Sequence, residues 1–396
     1  MNILSVTMFT PTPENYNGIS GLIYHLLIKK PKWVNITLYS YNANKVDIGT
    51  IKSISKILGI DIKLLHMPKG FRIINFLLRK TRFDWLLPLQ TLSYIPIPKQ
   101  VKNEIQKNKY DVIWLYPYFF SRWMKKFPEQ KFVLTGCDSG VLFTKRCFED
   151  DYFKKNKKRL ANLKRQYYKA IKTEQGFNIP NAKIHFVGQA DLTIYSHLNN
   201  AENGFYSPHP HYQISYKEIS FHYPKLKVLW AGKNDYYMLT KGHELLLAFL
   251  RFSKSLNEII EITFLGKGWE NYQQQLYKYG YEVKCITWVE DYIKEIIKYD
   301  IQVVPISLGT GTKGKVLDAM ANGLLCIGTH YALENISSHL EGCLEYDNAE
   351  DVCRILIDIY ANREKYEQIA RNGQEKVIKE HDPELCSKHF FSHFKF

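Results

Sequence analysis

Apolar residues follow two alternating rhythms along this chain. Short unbroken runs, expected of strands buried on both faces, are separated by stretches where apolar side chains recur every three or four positions, as on a helix with one buried face. In the first half this predicts strands at 3–8, 36–41, 111–116, 131–135 and 184–188. Helical periodicity lies between them at 22–30, at 99–107 and along a long basic stretch, 152–173. Around residues 200–225 both rhythms stop. There Asn203-Gly204, Ser207-Pro208-His209-Pro210-His211 and Tyr223-Pro224 fall close together, the composition of a linker. A second series then runs strand 227–231, helix 242–254, strand 260–265, helix 269–279, strand 283–287 and helix 291–298. It continues with strand 301–305, helix 315–322 and strand 325–328, and closes on helices at 351–360 and 363–380.

Strands alternating with helices favour parallel sheets. The chain is therefore expected to be α/β, with two Rossmann-like doubly wound domains facing across a cleft. Their predicted extents are 1–205 and 226–381, joined by a linker at 206–225, and a terminal helix at 382–396 could complete the first. In such folds ligands bind outside the carboxyl ends of the strands, so the cleft is the expected site.

Composition narrows the class. With 45% hydrophobic and 23% charged residues, the chain has the make-up of a globular protein. No apolar run approaches the ~20 residues of a membrane-spanning helix. The start, Met1-Asn2-Ile3-Leu4-Ser5-Val6, reads as a buried strand without the basic segment and cleavage site of a signal peptide, so the expected location is the cytoplasm. The seven cysteines form no C-x-x-C pair, and neither a disulfide framework nor a zinc site is expected. Charge is uneven. Residues 1–200 hold 32 Lys and Arg against 13 Asp and Glu, a net of +19, while the remainder holds 22 against 26, a net of −4. A partner dense in negative charge should meet the first half.

Three strand-to-helix junctions of the second half carry the chemistry. Gly232-Lys233 ends one strand, and Lys241-Gly242 opens the helix that follows. At Phe264-Leu265-Gly266-Lys267-Gly268, glycine permits close approach of a ligand to the backbone. The third junction is Gly309-Thr310-Gly311-Thr312-Lys313-Gly314-Lys315, leading into Val316-Leu317-Asp318-Ala319-Met320-Ala321. Its glycines can turn N–H groups inward, the helix offers its positive end, and Lys313 and Lys315 add charge, which together suit a diphosphate. Asp318, about one turn into the helix, could accept bonds from the two hydroxyls of a ribose. Taken singly, Lys233 and Lys241 read as solvated lysines and Asp318 as a favourable charge at a helix start. Their joint occurrence at strand ends of one domain points to a nucleotide site.

These junctions resemble those of retaining glycosyltransferases of family 4, which have the GT-B fold. The resemblance covers most of 227–380 and is weaker but collinear over 1–197. It implies that Gly232, Lys233, Lys241 and Gly242 hold a donor pyrophosphate, with Lys233 where the family has arginine. It also implies that Gly266 lines the donor site and that backbone groups of Val289, in Thr287-Trp288-Val289-Glu290-Asp291, meet the nucleotide base. The family's two glutamates fall at Thr310 and Asp318. The second change is conservative, whereas the first removes a carboxylate that grips the donor sugar, leaving sugar identity open. Gly309–Ala321 is similar to a subset with a Gly-x-Gly-x-Lys/Arg-x-Lys loop, so Gly311, Thr312, Gly314 and Lys315 join the donor site.

In the first half, the loop Asn17-Gly18-Ile19-Ser20-Gly21 corresponds to one that borders acceptor and transferred sugar in the family, placing Gly18 there. Leu134-Thr135-Gly136-Cys137-Asp138-Ser139 is similar to a Thr-x-His-Asp segment, with Cys137 in place of histidine. Asp138 is thus a candidate to orient the acceptor or act as its base, and equally a helix cap. Glu149-Asp150-Asp151 is read as a solvated turn, and no metal is expected. Two segments could meet an anionic membrane: 71–87, which mixes bulky apolar residues with Arg72, Arg79, Lys80 and Arg82, and 154–172, which with Lys183 holds ten basic side chains.

The expected function is metal-independent transfer of a sugar, with retention, from a nucleotide diphosphate sugar (UDP- or GDP-linked) to a glycan or lipid-linked glycan acceptor in surface polysaccharide synthesis. Lys233, Lys241, Lys313 and the helix end at Gly314 would stabilise the departing diphosphate. The nucleotide sugar is then a substrate, and no cofactor is expected. Alternatives are a nucleotide-sugar epimerase of the same fold and a non-catalytic basic protein for membrane or nucleic acid. The aromatic residues show no RNA-binding motif, and no nucleic-acid partner is expected.

Overall fold

The computed structural model describes every residue except 14–19, 82, 108, 217, 337 and 338. The chain divides into two compact units: Met1–Lys145 with Ala161–Pro210 and Pro383–Phe396, and Arg146–Leu160 with His211–Asp382.

The first unit is built on seven parallel strands: β1 (Asn2–Thr7), β2 (Asn35–Ser40), β3 (Asp61–Leu64), β4 (Val112–Tyr116), β5 (Phe132–Cys137), β6 (Ala182–Phe186) and β7 (Gly204–Tyr206). They lie in the order β3-β2-β1-β4-β5-β6-β7. Central β1 and β4 are apolar or small on both faces and almost wholly buried, as a sheet covered on both sides requires. The helix Pro383–Ser392 returns to this unit. Its Phe390 and Phe391, with Phe394 just beyond, surround the Trp114 ring at 5.1–5.9 Å, and Ser387 Oγ donates to the Leu26 carbonyl.

The second unit holds a six-stranded parallel sheet: β8 (Leu226–Ala231), β9 (Ile260–Leu265), β10 (Glu282–Ile286), β11 (Ile301–Val304), β12 (Leu325–Gly328) and β13 (Cys343–Glu345), in the order β10-β9-β8-β11-β12-β13. Phe264 and Trp269 stack on each other with Trp230 tilted against both, and the three fill the core beside β8 and β9. Described residues from Ser207 to Lys225 form neither helix nor strand. Buried Asp300 ties the end of that segment down: its carboxylate accepts the N–H groups of His222 and Lys227 and pairs with His222 Nδ1 at 2.6 Å.

Two sequence expectations change. The helix expected over 152–173 is two helices, Asp151–Lys154 and Lys157–Gln175. Asn156 breaks it, because its side chain accepts the Arg159 N–H and caps the second helix. Nor is Glu149-Asp150-Asp151 simply a solvated turn. Asp150 caps the first of those helices through the Tyr152 N–H and receives the Thr240 hydroxyl.

The short segment Arg146–Leu160 belongs with the second unit, and besides the Asp150–Thr240 bond it has a buried anchor there. The Arg146 guanidinium makes two bonds to the Glu334 carboxylate at 2.6 and 2.7 Å, donates to the Gly309 carbonyl and lies over the Tyr331 ring. Both charged side chains are only 10% exposed. Arg146→Ala would leave the Glu334 carboxylate buried and unpaired. It should lower stability by about 3–5 kcal/mol, read as a shift in the urea midpoint, whereas Arg146→Met combined with Glu334→Leu should lose far less.

Candidate functional site

Strand order reverses between β8 and β11, so the loops leaving their carboxyl ends run in opposite directions and open a crevice. The two loops are stitched at its base: the N–H of Ser307 donates to the Tyr237 carbonyl at 2.7 Å, and the Lys241 N–H donates to Ser307 Oγ at 2.8 Å. The loops after β8 and β9 also pack backbone against backbone. Gly232 has φ +126° and Gly266 φ +144°, and a Cβ on Gly266 would overlap the Gly232 carbonyl. That same carbonyl accepts the Trp269 indole N–H at 2.7 Å, and the Asn234 N–H reaches the Lys267 carbonyl at 3.0 Å.

Lys315 points into this crevice. A Cβ on Gly232 would collide with its ammonium, so the lysine lies directly against the glycine backbone. The residue is half-buried, and among the described residues no hydrogen bond to its ammonium is found. Burial holds its pKa below the ordinary lysine range. Nearby Asp235 opposes that shift, and Lys313 adds to it. Lys315 is the second residue of the helix Gly314–Ala321, which no side chain caps at its start. A helix end that its preceding side chain does not cap, beside an ammonium with no hydrogen-bond partner among the described residues, attracts an anion.

Asp318 lies further along that helix and is buried. Desolvation raises its carboxyl pKa to about 7, against a pull from the Tyr212 backbone N–H, which it accepts. Asn322, one turn on, bonds the Gln213 carbonyl and the Ser215 N–H, so Asp318 and Asn322 together pin residues 212–215 over the helix.

The other candidates fall in different settings. Lys233 is exposed at the lip of the β8 loop. The Lys241 ammonium is occupied by Glu244 at 2.9 Å and by the Asp347 carbonyl at 3.3 Å. That of Lys313 folds back onto the carbonyls of Thr310 and Gly311, both at 2.8 Å. The ammoniums of Lys241 and Lys313 thus sit on different oxygens, and Lys315 is the cation pressed into the crevice. Thr312 and Gly314 complete the loop, with Gly311 buried within it. Val289 packs half-buried on the core just past β10, beside exposed Trp288.

In the first unit Gly18 lies outside the described residues. Asp138 is exposed past the end of β5, but the neighbouring helix Gly140–Glu149 is capped by other groups. Ser139 Oγ accepts the Leu142 N–H at 3.1 Å, and the Glu174 carboxylate accepts the Val141 N–H at 3.0 Å. Behind Asp138 lies a buried network that spacing alone did not reveal. Ser139 bonds Glu174 through its hydroxyl and Asp191 through its N–H, and burial raises the Glu174 carboxyl to about 7. Arg146 and Glu334 also escaped the sequence reading. An arginine 188 positions from its partner has no local pattern, and its hydrogen bond to Gly309 links it to the glycine loop. Among the described residues no group of three or more His, Cys, Asp or Glu side chains is placed to hold a metal ion.

Comparison with known proteins matches this architecture. Residues 225–362 match the family described as glycosyl transferases group 1. No curated relative matches the chain in sequence. Among solved structures it is similar to HepE of Anabaena in complex with UDP-glucose, at 13% identity and a TM-score of 0.63 over 99% of this chain and 98% of that one. It is similar to sucrose-phosphate synthase of Thermosynechococcus elongatus, at 11% identity and a TM-score of 0.66 over 100% and 98%. A glycosyltransferase of Rickettsia africae gives 13% and 0.61 over 100% and 97%. The chain therefore has the two-unit GT-B fold, and its residues 225–362 match the glycosyl transferases group 1 family.

Proposed function

We propose that this protein transfers a sugar from a nucleotide diphosphate sugar, UDP- or GDP-linked, to a hydroxyl of a glycan or lipid-linked glycan, with retention at the anomeric carbon, in the synthesis of a surface polysaccharide. One observation carries the reading: the half-buried Lys315 ammonium, without a hydrogen-bond partner among the described residues, against Gly232 and beside an uncapped helix start. The family match over 225–362 and the UDP-glucose of the HepE complex support it.

On this reading the diphosphate sits in the crevice between the β8 and β11 loops. Lys315 and the helix start at Gly314 meet the charge that develops on the departing phosphate. Lys233 reaches in from the lip, while Lys241 and Lys313 exchange their protein oxygens for phosphate ones. Lys315 and the helix start are fixed before the reaction and act in a partly water-excluded site, which makes each worth more than a solvated charge. Asp318 accepts bonds from the ribose diol, Val289 meets the base and Gly266 leaves room for the backbone to approach. Thr310 contacts the sugar without a carboxylate. In the first unit, Gly18 and Asp138 serve the acceptor, and the strongly basic surface meets an anionic membrane. The same crevice would serve an epimerase, but no observation favours that chemistry over transfer.

Thermal-shift screening against UDP-, GDP-, ADP- and CMP-sugars should raise the melting temperature with a UDP- or GDP-sugar, since a ligand bound only to folded protein stabilises it. A melting temperature unmoved by every donor would overturn the reading. With the donor so identified, Lys315→Met should lower turnover by roughly 10²–10³, the effect of losing one well-placed stabilising group. Affinity should also depend on pH in a defined direction. The diphosphate of a nucleotide sugar does not titrate near neutrality, whereas Asp318 does, at about 7. Binding needs its ionised form, so calorimetric affinity should fall as pH drops through that value, and Asp318→Asn should remove this limb. At alkaline pH, loss of the Lys315 proton should weaken binding again, because its pKa lies below the ordinary lysine range.

A further inference from the structure

The helix Lys69–Lys80 in the first unit is amphipathic in the reverse sense. Its sequence, KGFRIINFLLRK, contains no acid. Phe71 packs on the core, and Asn75 is turned partly inward. The outward side instead carries Ile73, Ile74, Phe76 and Leu77, each half or more exposed. Residues three and four apart share a helix face, so this is one continuous apolar stripe. Lys69, Arg72 and Lys80 are also exposed along it. The following turn, Phe83–Leu86, adds Phe83, Trp85 and Leu86, again half or more exposed. Between Asp61 and Asp84 the chain has six Lys and Arg and no Asp or Glu.

A monomeric globular protein seldom leaves so many large apolar side chains together in water, and such a surface marks a partner. The composition says which one. Bulky apolar and aromatic groups interleaved with cations, with Asp84 the one acid in the sequence of these two elements, match the boundary between the headgroups and acyl chains of an anionic bilayer. Aromatic rings settle at that depth, and lysine or arginine stems extend past the apolar layer to phosphate. A second basic element borders the patch: the Arg165 guanidinium, on helix Lys157–Gln175, lies 5.2 Å from the centre of the Trp85 ring. A protein partner would need a comparable apolar surface of opposite charge. A second copy of this chain would bring cations against cations.

We infer that helix Lys69–Lys80 and the turn Phe83–Leu86 lie in the interface of an anionic lipid bilayer, with Ile73, Ile74, Phe76, Leu77 and Trp85 below the headgroups. This deepens the membrane part of the proposed function. It stands on unit-one residues alone, so it is separable from the donor assignment in the second unit. The full-length protein is sedimented with vesicles of phosphatidylcholine alone and of phosphatidylcholine containing phosphatidylglycerol. Binding is expected to the anionic vesicles, with little to the neutral ones, and to weaken with salt. Ile73→Asp with Leu77→Asp should reduce it roughly tenfold or more, as expected when the inserted face is made polar. Both side chains are exposed, so circular dichroism, melting temperature and the donor-induced thermal shift should remain those of the wild type. Absence of vesicle binding by the wild type, or binding unchanged in the double variant, overturns the inference. So does a wild-type dimer that the double variant dissolves without any vesicle binding, since the patch would then belong to a second copy. A lost donor response with vesicle binding intact would instead count against the second-unit site.

Discussion

An ammonium taken partly out of water, with no oxygen to bond, is held at an electrostatic disadvantage that an incoming anion relieves. Among the described residues of the second unit, Lys315 occupies that position. The lysine lies there because Gly232 has no side chain and adopts φ +126°, because the loops after β8 and β11 diverge on either side of it, and because the Lys313 side chain does not cap the helix Gly314–Ala321. Any of these alone is an ordinary feature of a doubly wound sheet. Together they concentrate positive potential at the strand ends, where such folds bind ligands.

The surrounding packing serves the same constraint. Gly266 lets the β9 loop close onto the Gly232 carbonyl, and Trp269 bonds that carbonyl, fixing the floor on which Lys315 rests. On the other side of the crevice, Arg146 holds the Gly309 carbonyl while its charge is balanced by Glu334. A glycine-rich loop costs conformational entropy to order. Here it is anchored from outside by a buried ion pair and from inside by Lys313, folded onto the Thr310 and Gly311 carbonyls.

The first unit handles charge differently. Its cationic excess lies on exposed helices, and its most amphipathic helix turns apolar groups outward. The core has no need of that face: two hydrophobic clusters already fill the sides of the sheet, one of them closed by Phe390, Phe391 and Phe394. The uneven charge along the chain thus accompanies two different surfaces, a localised crevice lined by lysines and a broad basic, apolar face.

Much of this was legible in the chain. Central strands are buried on both faces, so their apolar runs stand out, and the helix expected at 363–380 has those bounds in the structure. The unread strands β3, β7 and β13 all lie at sheet edges, have three or four residues and carry polar or half-exposed positions, so no apolar run marks them. The glycine and lysine junctions were readable because loop chemistry is local: a glycine where the backbone must turn, a lysine where a helix begins. Which lysine faces the crevice was not, since Lys241, Lys313 and Lys315 differ only in what surrounds them. The Arg146–Glu334 pair, the Ser139–Glu174 network and the outward turn of the Lys69–Lys80 helix depend on residues remote in sequence. The sequence by itself determined the alternating strands and helices, the glycine-rich turns and the uneven charge, because these follow from neighbours along the chain. The tertiary structure alone decided which charges lose water, which find partners and which apolar face stays uncovered, because desolvation depends on everything packed nearby.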